Sequence, residues 1–356
     1  MKIFLIIPTL KQGGAERVIS ELANEFTIQN HEVHLVLLAQ SDDFYSINPS
    51  VKIHRLGFIN KGGVKKLKAE LNTFYKLRKL LKSVKPEAIL SFMDKYNVLT
   101  ILASLFLNLS VFISDRSNPY KPIPITLEIL KKITYKYASG FVAQTSLAKE
   151  ISKKKYGNKN IKVISNPVRL INMHSEIERQ KIILNVGRLV PEKGQKFLIE
   201  AFGKLNLSDW QLVILGDGPL RKELETQVND LGIKDNVYMP GTINNVDEWL
   251  AKTSIFAFPS VSEGFPNALV EAMASGLPCI SFDCDAGPRD IIKNGENGFL
   301  VPLKNTAEFS EKIQFLIDNT EFRLLMGNKA SEIKNKLEIS KIAKEYLNFL
   351  KDIPYK

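Results

Sequence analysis

The chain has 356 residues, 44% of them hydrophobic and 24% charged, and this ordinary globular composition argues against disorder. Its length suits two domains of about 150 to 200 residues each. Two cysteines, Cys279 and Cys284, cannot build a disulfide framework, no secretory signal pattern opens the sequence, and its most apolar run, 98–113, is too short to span a membrane. We therefore expect a cytoplasmic protein.

The net charge of +11 is carried by the first half. Residues 1–170 hold 27 Lys and Arg against 12 Asp and Glu, whereas the remainder holds 22 against 26. Lysines cluster in 61–85, where apolar residues recur at helical spacing (Leu67, Leu71, Phe74, Leu77, Leu80 and Leu81). This basic amphipathic helix suits a solvated surface, an anionic membrane or lipid-linked diphosphate, or nucleic acid. Base-stacking aromatic residues are not interleaved with the lysines, so a membrane is favoured over nucleic acid.

The first elements predict an α/β domain. Residues 2–8 form an apolar run typical of a buried parallel strand, and a loop with Gly13 and Gly14 precedes a helix. The loop lacks the G-x-G-x-x-G fingerprint of dinucleotide-binding proteins, and its glycines permit either a tight turn or close approach of a ligand. A second strand over 31–38 contains two histidines, which have no third metal ligand at a suitable spacing.

Further strands bring polar residues to one edge of the predicted sheet. A helix over 65–82 and a strand over 88–92 precede Asp94 and Asn97, and a strand over 111–113 precedes Asp115 and Arg116. Parallel sheets bind ligands at the carboxyl ends of their strands, although polar strand ends also simply face solvent. A helix over 126–138, a strand over 140–143, a helix over 146–156 and a strand from 161 complete this domain. We place the domain boundary after residue 170, in a polar segment.

The second domain repeats the alternation of strands and helices and closes with two helices, over about 306–318 and 338–350. Its first strand ends in GRLVPEKG, where Arg188 and Lys193 converge on one loop; they either face solvent or neutralise a diphosphate. The next strand ends in GDGP, in which Gly216 forms a turn before a helix, and NVYMPG is a third strand. Arg221 occupies the position of the third glycine that a dinucleotide motif would need.

The segment 254–276 is the most informative stretch. It predicts a strand over 255–258, a polar loop with Glu263, and a helix that starts at Asn267 as N-cap, contains Glu271 and ends before Gly276. The amides near Ala268 and Leu269 are a natural phosphate seat, and carboxylates accept hydrogen bonds from vicinal hydroxyls. A ligand with phosphates and sugar hydroxyls fits, although each glutamate alone could be solvated or complement the helix dipole.

EGFPNALVEAMASGLP resembles the donor-binding E-x7-E signature of family 4 glycosyltransferases. The loops GGAER, GRLVPEKG and GDGP are similar to glycine-rich and basic turns of the same family. The resemblance covers nearly the whole chain. It implies the α/β fold called GT-B, with two doubly wound domains facing across a cleft, the N-terminal one (1–170) binding acceptor and the C-terminal one (171–356) binding the nucleotide sugar. The last helix can pack back on the first domain.

The same resemblance implies a retaining glycosyltransferase that uses a UDP sugar and needs no metal cofactor. Arg188, Lys193 and Glu263 are then catalytic and bind the donor. Gly216, Phe265, Pro266, Asn267, Ala268, Leu269 and Glu271 contribute to donor binding, and Gly14 contributes to substrate binding from the acceptor-side loop. Many relatives have a histidine where this chain has Asp115 and Arg116, so we expect these two to orient the acceptor and stabilise the diphosphate. The D-x-D pair Asp283 and Asp285 is a weaker metal candidate, since hard cations need several oxygen ligands.

The predicted function is sugar transfer from a UDP sugar, carrying a hexose or N-acetylhexosamine, to a glycan, with a lipid-diphosphate-linked glycan as the expected acceptor in bacterial polysaccharide assembly. The expected partners are these two substrates and an anionic membrane surface, without nucleic acid. Two alternatives stay open: a non-catalytic sugar or nucleotide-binding module, and a sugar-nucleotide epimerase on the same fold.

Overall fold

The computed structural model describes residues 1–58, 64–172, 178–205 and 207–351, with only the backbone of Phe58 and of residues 64–67. These residues divide into two compact units. We call Met1–Pro167, with the helix that begins at Ile339, the N-terminal unit, and Val168–Glu338 the C-terminal unit. Lys61 and the middle of the polar boundary segment, 173–177, lie outside the described residues.

The N-terminal unit contains a parallel sheet of seven strands among the described residues, in the order β3-β2-β1-β4-β5-β6-β7. The strands are β1 (Lys2–Ile7), β2 (Glu32–Ala39), β3 (Lys52–Phe58), β4 (Ala88–Phe92), β5 (Ser110–Ser114), β6 (Gly140–Ala143) and β7 (Ile161–Val163). The edge strand β3 was not predicted, because its sequence KIHRLGF interleaves basic and apolar residues without an uninterrupted apolar run.

Helices cover both faces of this sheet. They are α1 (Gly14–Ile28), α2 (Val64–Val84), α3 (Asp94–Ser104), α4 (Ile125–Thr134), α5 (Ser146–Tyr156) and, from the end of the chain, the helix Ile339–Lys351. In α1 the apolar residues Val18, Leu22 and Phe26 share one face and are fully buried. The predicted helix over 126–138 is shorter, because a 3-10 turn over Tyr135–Tyr137 ends it.

The C-terminal unit contains a second parallel sheet, with six strands in the order β10-β9-β8-β11-β12-β13 within the described part. These are β8 (Ile182–Val186), β9 (Gln211–Leu215), β10 (Val237–Gly241), β11 (Ile255–Phe258), β12 (Cys279–Phe282) and β13 (Phe299–Val301). Its helices are α6 (Gln195–Gly203), α7 (Arg221–Asp230), α8 (Val246–Lys252), α9 (Asn267–Ala274), α10 (Pro288–Ile291), α11 (Thr306–Asp318), α12 (Thr320–Ser331) and α13 (Ile333–Lys336). The helix Ile339–Lys351 of the N-terminal unit is therefore α14.

The end of the chain differs from the prediction. Two closing helices were expected, over 306–318 and 338–350, whereas α12 and α13 lie between them. Helix α14 packs in the N-terminal unit, where the rings of Phe349 and Phe112 meet edge to face with centroids 5.3 Å apart. A side chain at Gly140 would collide with Phe349, since a Cβ there would lie 2.8 Å from its ring.

Strand order locates the ligand-binding edge of each unit. In both sheets the chain moves outward in one direction and then starts again on the other side of the first strand, between β1 and β4 and between β8 and β11. Loops that leave such a pair of strands diverge and open a crevice at the carboxyl ends. The predicted class, two doubly wound α/β domains, is confirmed.

Candidate active site

The loop after β8 is fixed against the loop after β11, at the switch point of the C-terminal unit. Gly194 has φ +64°, and a Cβ there would lie 2.1 Å from the carbonyl oxygen of Pro259, so only glycine permits this approach. The Val261 amide donates to the Glu192 carbonyl at 2.9 Å. The backbone thus determines where Lys193 lies relative to Glu263.

Lys193 and Glu263 form an ion pair across these two loops. Lys193 Nζ lies 2.6 Å from Glu263 Oε1, and the glutamate side chain is only 8% exposed against 24% for the lysine. Glu263 also faces the thiol of Cys284, whose pKa burial and the nearby carboxylate raise to about 12. A buried carboxylate that is paired with an accessible ammonium can accept hydrogen bonds from ligand hydroxyls, while the ammonium contacts an anion.

Arg188 lies on the same loop but is exposed. Its guanidinium has no hydrogen-bond or ion-pair partner among the described residues, whereas its carbonyl accepts from Gln195 Nε2 at 3.1 Å. The backbone is anchored and the charge is left accessible. Gly216, in the turn after β9, packs on this loop: it has φ +136°, and a Cβ there would lie 2.0 Å from the Gly187 carbonyl oxygen.

Helix α9 starts beside this loop with free donors. Within the described part of the chain, the amides of Ala268 and Leu269 donate to no backbone carbonyl, and no side chain caps the helix. Asn267 was predicted as the N-cap, but it is the first helical residue and Pro266 precedes it as the cap. The prediction was wrong by one position. It rested on the preference of asparagine for N-caps, whereas proline, which is also common at helix starts, occupies the cap.

The residues before α9 are packed rather than exposed. Phe265 is buried, and Pro266 lies against Gly287, where a Cβ would be 2.4 Å from the proline Cδ. Their packing fixes the direction in which the amides of α9 point. Free amides at a helix start form an anion site that needs no side chain.

Glu271, one turn further along α9, is held by an arginine that sequence reasoning missed. Arg169 Nε lies 3.0 Å from Glu271 Oε2, and its Nη2 lies 2.5 Å from Asp247 Oδ1. Burial opposes the charge of Arg169, but the two carboxylates outweigh it and raise its pKa. Arg169 lies in a polar segment without periodicity, so no sequence signal pointed to this contact.

The loop after β1 carries the predicted glycines of the N-terminal unit. Gly13 caps α1, its amide donates to the Tyr45 hydroxyl at 3.2 Å, and that hydroxyl donates to the Gly13 carbonyl at 3.0 Å. Gly14 is the exposed first residue of α1. This loop leaves the switch point between β1 and β4, where a ligand could approach the helix start.

Asp115 belongs to a closed polar network. Its carboxylate accepts from Tyr135 OH at 2.5 Å, from Asn97 Nδ2 at 3.1 Å and from Lys131 Nζ at 2.8 Å. Lys131 donates to Asp94 as well, so two carboxylates share one ammonium. Burial, and then the charge of Asp94, raise the pKa of Asp115.

Arg116 is enclosed by the N-terminal unit. Its Nη1 donates to Asn166 Oδ1 at 2.6 Å, its Nη2 donates to Tyr346 OH at 2.7 Å, and its guanidinium carbon lies 3.6 Å from the centre of the Phe92 ring. The backbone of Arg116 is left-handed, with φ +69°. Both terminal nitrogens are thus engaged, one by Asn166 after β7 and one by Tyr346 of α14, which favours a structural task over diphosphate binding.

The described residues contain no group of three or more His, Cys, Asp or Glu side chains that could hold a metal ion. Asp283, in the D-x-D pair, accepts two hydrogen bonds from Arg289, at 2.8 and 2.6 Å. The first carboxylate of that pair is therefore already neutralised by a guanidinium.

The sequence of this chain matches two families of known proteins. The family described as "Glycosyl transferases group 1" matches residues 170–333, and "Glycosyltransferase Family 4" matches residues 12–170. A Campylobacter jejuni alpha-1,4-N-acetyl-D-galactosaminyltransferase, named for the substrate GalNAc-alpha-(1->4)-GalNAc-alpha-(1->3)-diNAcBac-PP-undecaprenol, is 30% identical over 99% of both chains. The chain belongs to glycosyltransferase family 4. The predicted family and enzyme class are confirmed.

A second relative and a solved structure are also similar to this glycosyltransferase. A second C. jejuni enzyme, named as an N-acetylgalactosamine-N,N'-diacetylbacillosaminyl-diphospho-undecaprenol 4-alpha-N-acetylgalactosaminyltransferase, is 27% identical over 98% of this chain and 99% of its own. The Anabaena protein HepE, solved with UDP, superposes with a TM-score of 0.84 at 19% identity, covering 99% of this chain and 100% of its own. The superposition shows the shared GT-B fold.

In this glycosyltransferase, the C-terminal unit brings the predicted donor-site residues to one edge of its sheet. Arg188, Lys193, Gly216, Glu263 and the start of α9 all follow β8, β9 or β11. In the N-terminal unit, Asp115 is joined to Lys131 and Tyr135, which sequence reasoning missed. A signal for both was present, since Leu127, Lys131 and Tyr135 are spaced by four and place the lysine on the buried face of the helical segment.

Proposed function

We propose that this family 4 enzyme is a retaining, metal-independent glycosyltransferase that moves a hexose or N-acetylhexosamine from a UDP sugar to a lipid-diphosphate-linked glycan. The C. jejuni relatives are named for substrates on undecaprenyl diphosphate. Structures of HepE are described with UDP, glucose and UDP-glucose. These likenesses support the substrate classes, and the geometry of the C-terminal unit supports the way in which the donor is held.

The observation that carries the proposal is the Lys193–Glu263 pair beside the unpartnered Arg188. Cleaving the bond between the sugar and the diphosphate leaves negative charge on the departing phosphate. A guanidinium and two amides at the start of α9 that have no partner among the described residues, together with an ammonium paired at 2.6 Å, suit that charge. Because the backbone that carries these groups is anchored before the reaction, little reorganisation is needed to stabilise the transition state.

The two glutamates suit the hydroxyls of the donor. Glu263 is assigned to hydroxyls of the transferred sugar, because it is buried next to the cation that binds phosphate. Glu271 is assigned to the ribose, with Arg169 orienting its carboxylate. Gly216, Phe265, Pro266 and Asn267 shape the pocket around the nucleotide through backbone and packing contacts.

In this proposal, residues 1–170 bind the acceptor and residues 171–356 bind the donor, except that Arg169 belongs to the C-terminal unit and acts on the donor side. Gly14 lets the acceptor approach the start of α1, and Asp115 contributes through the network that holds Asp94. Arg116 contributes by tying together the strand ends that carry this network. The acceptor's proton goes to the departing phosphate oxygen on the face of the sugar where the new bond forms.

Sugar-dependent release of UDP tests the reaction. We expect UDP release from a UDP sugar to require a glycan acceptor and to fall strongly in the Glu263→Gln variant. A binding module would release no UDP, and an epimerase would convert the donor without acceptor; either result would overturn the proposal. Nuclear magnetic resonance of the product's anomeric proton would test retention, since an inverted configuration contradicts it.

Screening for the donor narrows the substrate class. A ligand that binds only the folded protein raises the melting temperature, so UDP sugars are expected to raise it more than GDP sugars. A larger shift with GDP sugars would contradict the choice of UDP. The same measurement with EDTA should be unchanged, since we propose that no metal holds the diphosphate.

Contact with the inner face of the plasma membrane follows from the proposed acceptor. No helix among the described residues is long and apolar enough to cross a membrane. The basic helix α2 and the excess of lysine and arginine in residues 1–170 favour attraction to anionic lipid. The first lysines of α2 lie where only the backbone is described.

A further inference from the structure

Helix α4 has the reverse of the usual orientation for a surface helix. Its buried residues include Glu128, Lys131 and Thr134, whereas Ile125, Ile129 and Ile133 point outward. The three isoleucines are spaced by four, so they share one side of the helix. They are between 50% and 70% exposed, although a surface helix normally buries its apolar side.

The polar network explains why the helix is turned this way. Lys131 is held inward by Asp115 and Asp94, and Glu128 faces the Tyr156 hydroxyl at 3.3 Å and Lys155 Nζ at 3.0 Å. These buried contacts fix the rotation of α4 about its axis. The isoleucines are consequently held in solvent in the isolated enzyme.

The surroundings of the stripe have the chemistry of a membrane interface. Tyr120 and Tyr137, both more than half exposed, lie before and after α4, and Lys121, Lys132 and Lys136 are exposed around it. Tyrosine and lysine at the edges of an apolar surface are typical of segments lying at the level of lipid headgroups. No acidic side chain of α4 is exposed, since Glu128 is buried.

The neighbouring helices extend the same layer. Leu77 and Leu81 of α2, Val98 and Ile101 of α3, and Tyr135 after α4 belong to one core cluster on one face of the sheet. Leu71 and Tyr75 of the basic helix α2 are exposed on that layer's other flank. Exposed apolar residues and lysines thus occur on both helices that flank α3.

We propose that the outward face of α4 inserts into the interface of an anionic bilayer, with Ile125, Ile129 and Ile133 among the acyl chains and Lys121, Lys132 and Lys136 at the lipid headgroups. This deepens the membrane contact proposed above, because it names the anchoring surface. Electrostatic attraction by α2 alone would be lost at high salt, whereas burial of the isoleucines persists.

Vesicle co-sedimentation tests the inference with a matched control. Vesicles of phosphatidylglycerol and phosphatidylcholine are mixed with wild type, with the double variant Ile129→Gln/Ile133→Gln, and with the control Leu324→Gln/Leu325→Gln. The control residues are comparably exposed on α12 of the C-terminal unit. We expect the α4 variant to lose binding on the order of tenfold, and the control to bind as wild type.

Salt and a fluorescent probe separate insertion from attraction. We expect Lys132→Gln/Lys136→Gln to weaken binding by roughly fivefold per lysine at low salt only. Tryptophan emission of Ile133→Trp should shift to shorter wavelength with anionic vesicles, whereas that of Leu325→Trp should not. Circular dichroism verifies the fold of each variant.

Several outcomes would overturn the inference. Unchanged vesicle binding of the α4 variant would do so even if α2 lysine variants lose binding, and would leave the proposed reaction untouched. A change of oligomeric state in the α4 variant, with vesicle binding unchanged, would assign this face to a second copy of the chain instead. The rate of sugar transfer to a water-soluble acceptor should be equal in all variants. A failure of the proposed reaction can therefore be distinguished from a failure of the membrane inference.

Discussion

The carboxyl edges of the two sheets use charge in opposite ways. In the C-terminal unit, Arg188 is exposed without a partner among the described residues and Lys193 has a single carboxylate. In the N-terminal unit, Lys131 is shared by two carboxylates and Arg116 is surrounded by Asn166, Tyr346 and Phe92. Arg188 and Lys193 can therefore still bind an anionic ligand. Lys131 and Arg116, whose donors are engaged by protein groups, stabilise the fold instead.

Removing the shared lysine should have the largest effect on stability. Lys131→Met leaves two carboxylates in a buried site with no ammonium, so we expect a loss of about 3 to 5 kcal/mol of unfolding free energy. Urea denaturation measures it. Lys132→Met, at the exposed neighbouring position, is the control and should change stability little. Equal losses in both variants would contradict the structural assignment.

Removing the free arginine should instead affect catalysis. Arg188→Ala is expected to lower kcat by about 100-fold with a smaller change in KM, because its charge matters most when the phosphate departs. Steady-state kinetics and urea denaturation together separate the catalytic role of Arg188 from the structural role of Lys131. Arg55→Ala, which breaks an exposed ion pair with Asp43, is the control. A raised donor KM at unchanged kcat would reject the catalytic role of Arg188.

A glycine pair tests whether the backbone holds Lys193 in place. Gly194 and Gly157 are both left-handed, but a Cβ at Gly194 meets the Pro259 carbonyl whereas a Cβ at Gly157 meets nothing within 4 Å. Gly157→Ala should cost about 1 kcal/mol and keep full activity. Gly194→Ala should cost at least about 2 kcal/mol and lower kcat, because the loop must move. Equal activity of the two variants would show that the loop position is unimportant.

Arg169 is a positioning residue whose effect should appear in donor binding alone. Arg169→Met frees Glu271 to rotate, and we expect donor KM to rise about tenfold with kcat little changed. In a double-mutant cycle, Glu271→Gln should add little to Arg169→Met. Additive effects, or a change in acceptor KM instead, would separate Arg169 from the ribose site.

A smaller effect is expected from the pH dependence of Asp115. Because its folded pKa is raised, the folded state retains the proton that the unfolded state releases first. The stability contributed by this group is present below the ordinary aspartate pKa of about 4 and is lost as pH rises through the raised value. The unfolding free energy of wild type should therefore decrease relative to that of Asp115→Asn as the pH increases. A difference independent of pH would contradict the raised pKa.

Much of the fold could be predicted from the sequence because it is encoded in local patterns. The strands over 88–92, 140–143 and 255–258 and the helix over 146–156 match the structure at both ends, since apolar runs, glycines and caps lie at those positions. Strand β3 and helices α12 and α13 were missed. In β3, basic and apolar residues alternate at a sheet edge, and α12 continues almost directly from α11 with only Asn319 between them.

The sequence by itself determined the family, the two-domain α/β class and the residues around the donor signature, because these lie in short continuous motifs. Only the tertiary structure decided which charges remain available. Asp115 and Arg116 looked equivalent to Arg188 and Lys193 at strand ends, yet partners distant in the chain, such as Tyr346, engage them. The orientation of α4 was decided in the same way, because contacts of Lys131 across the fold set which side of the helix faces solvent.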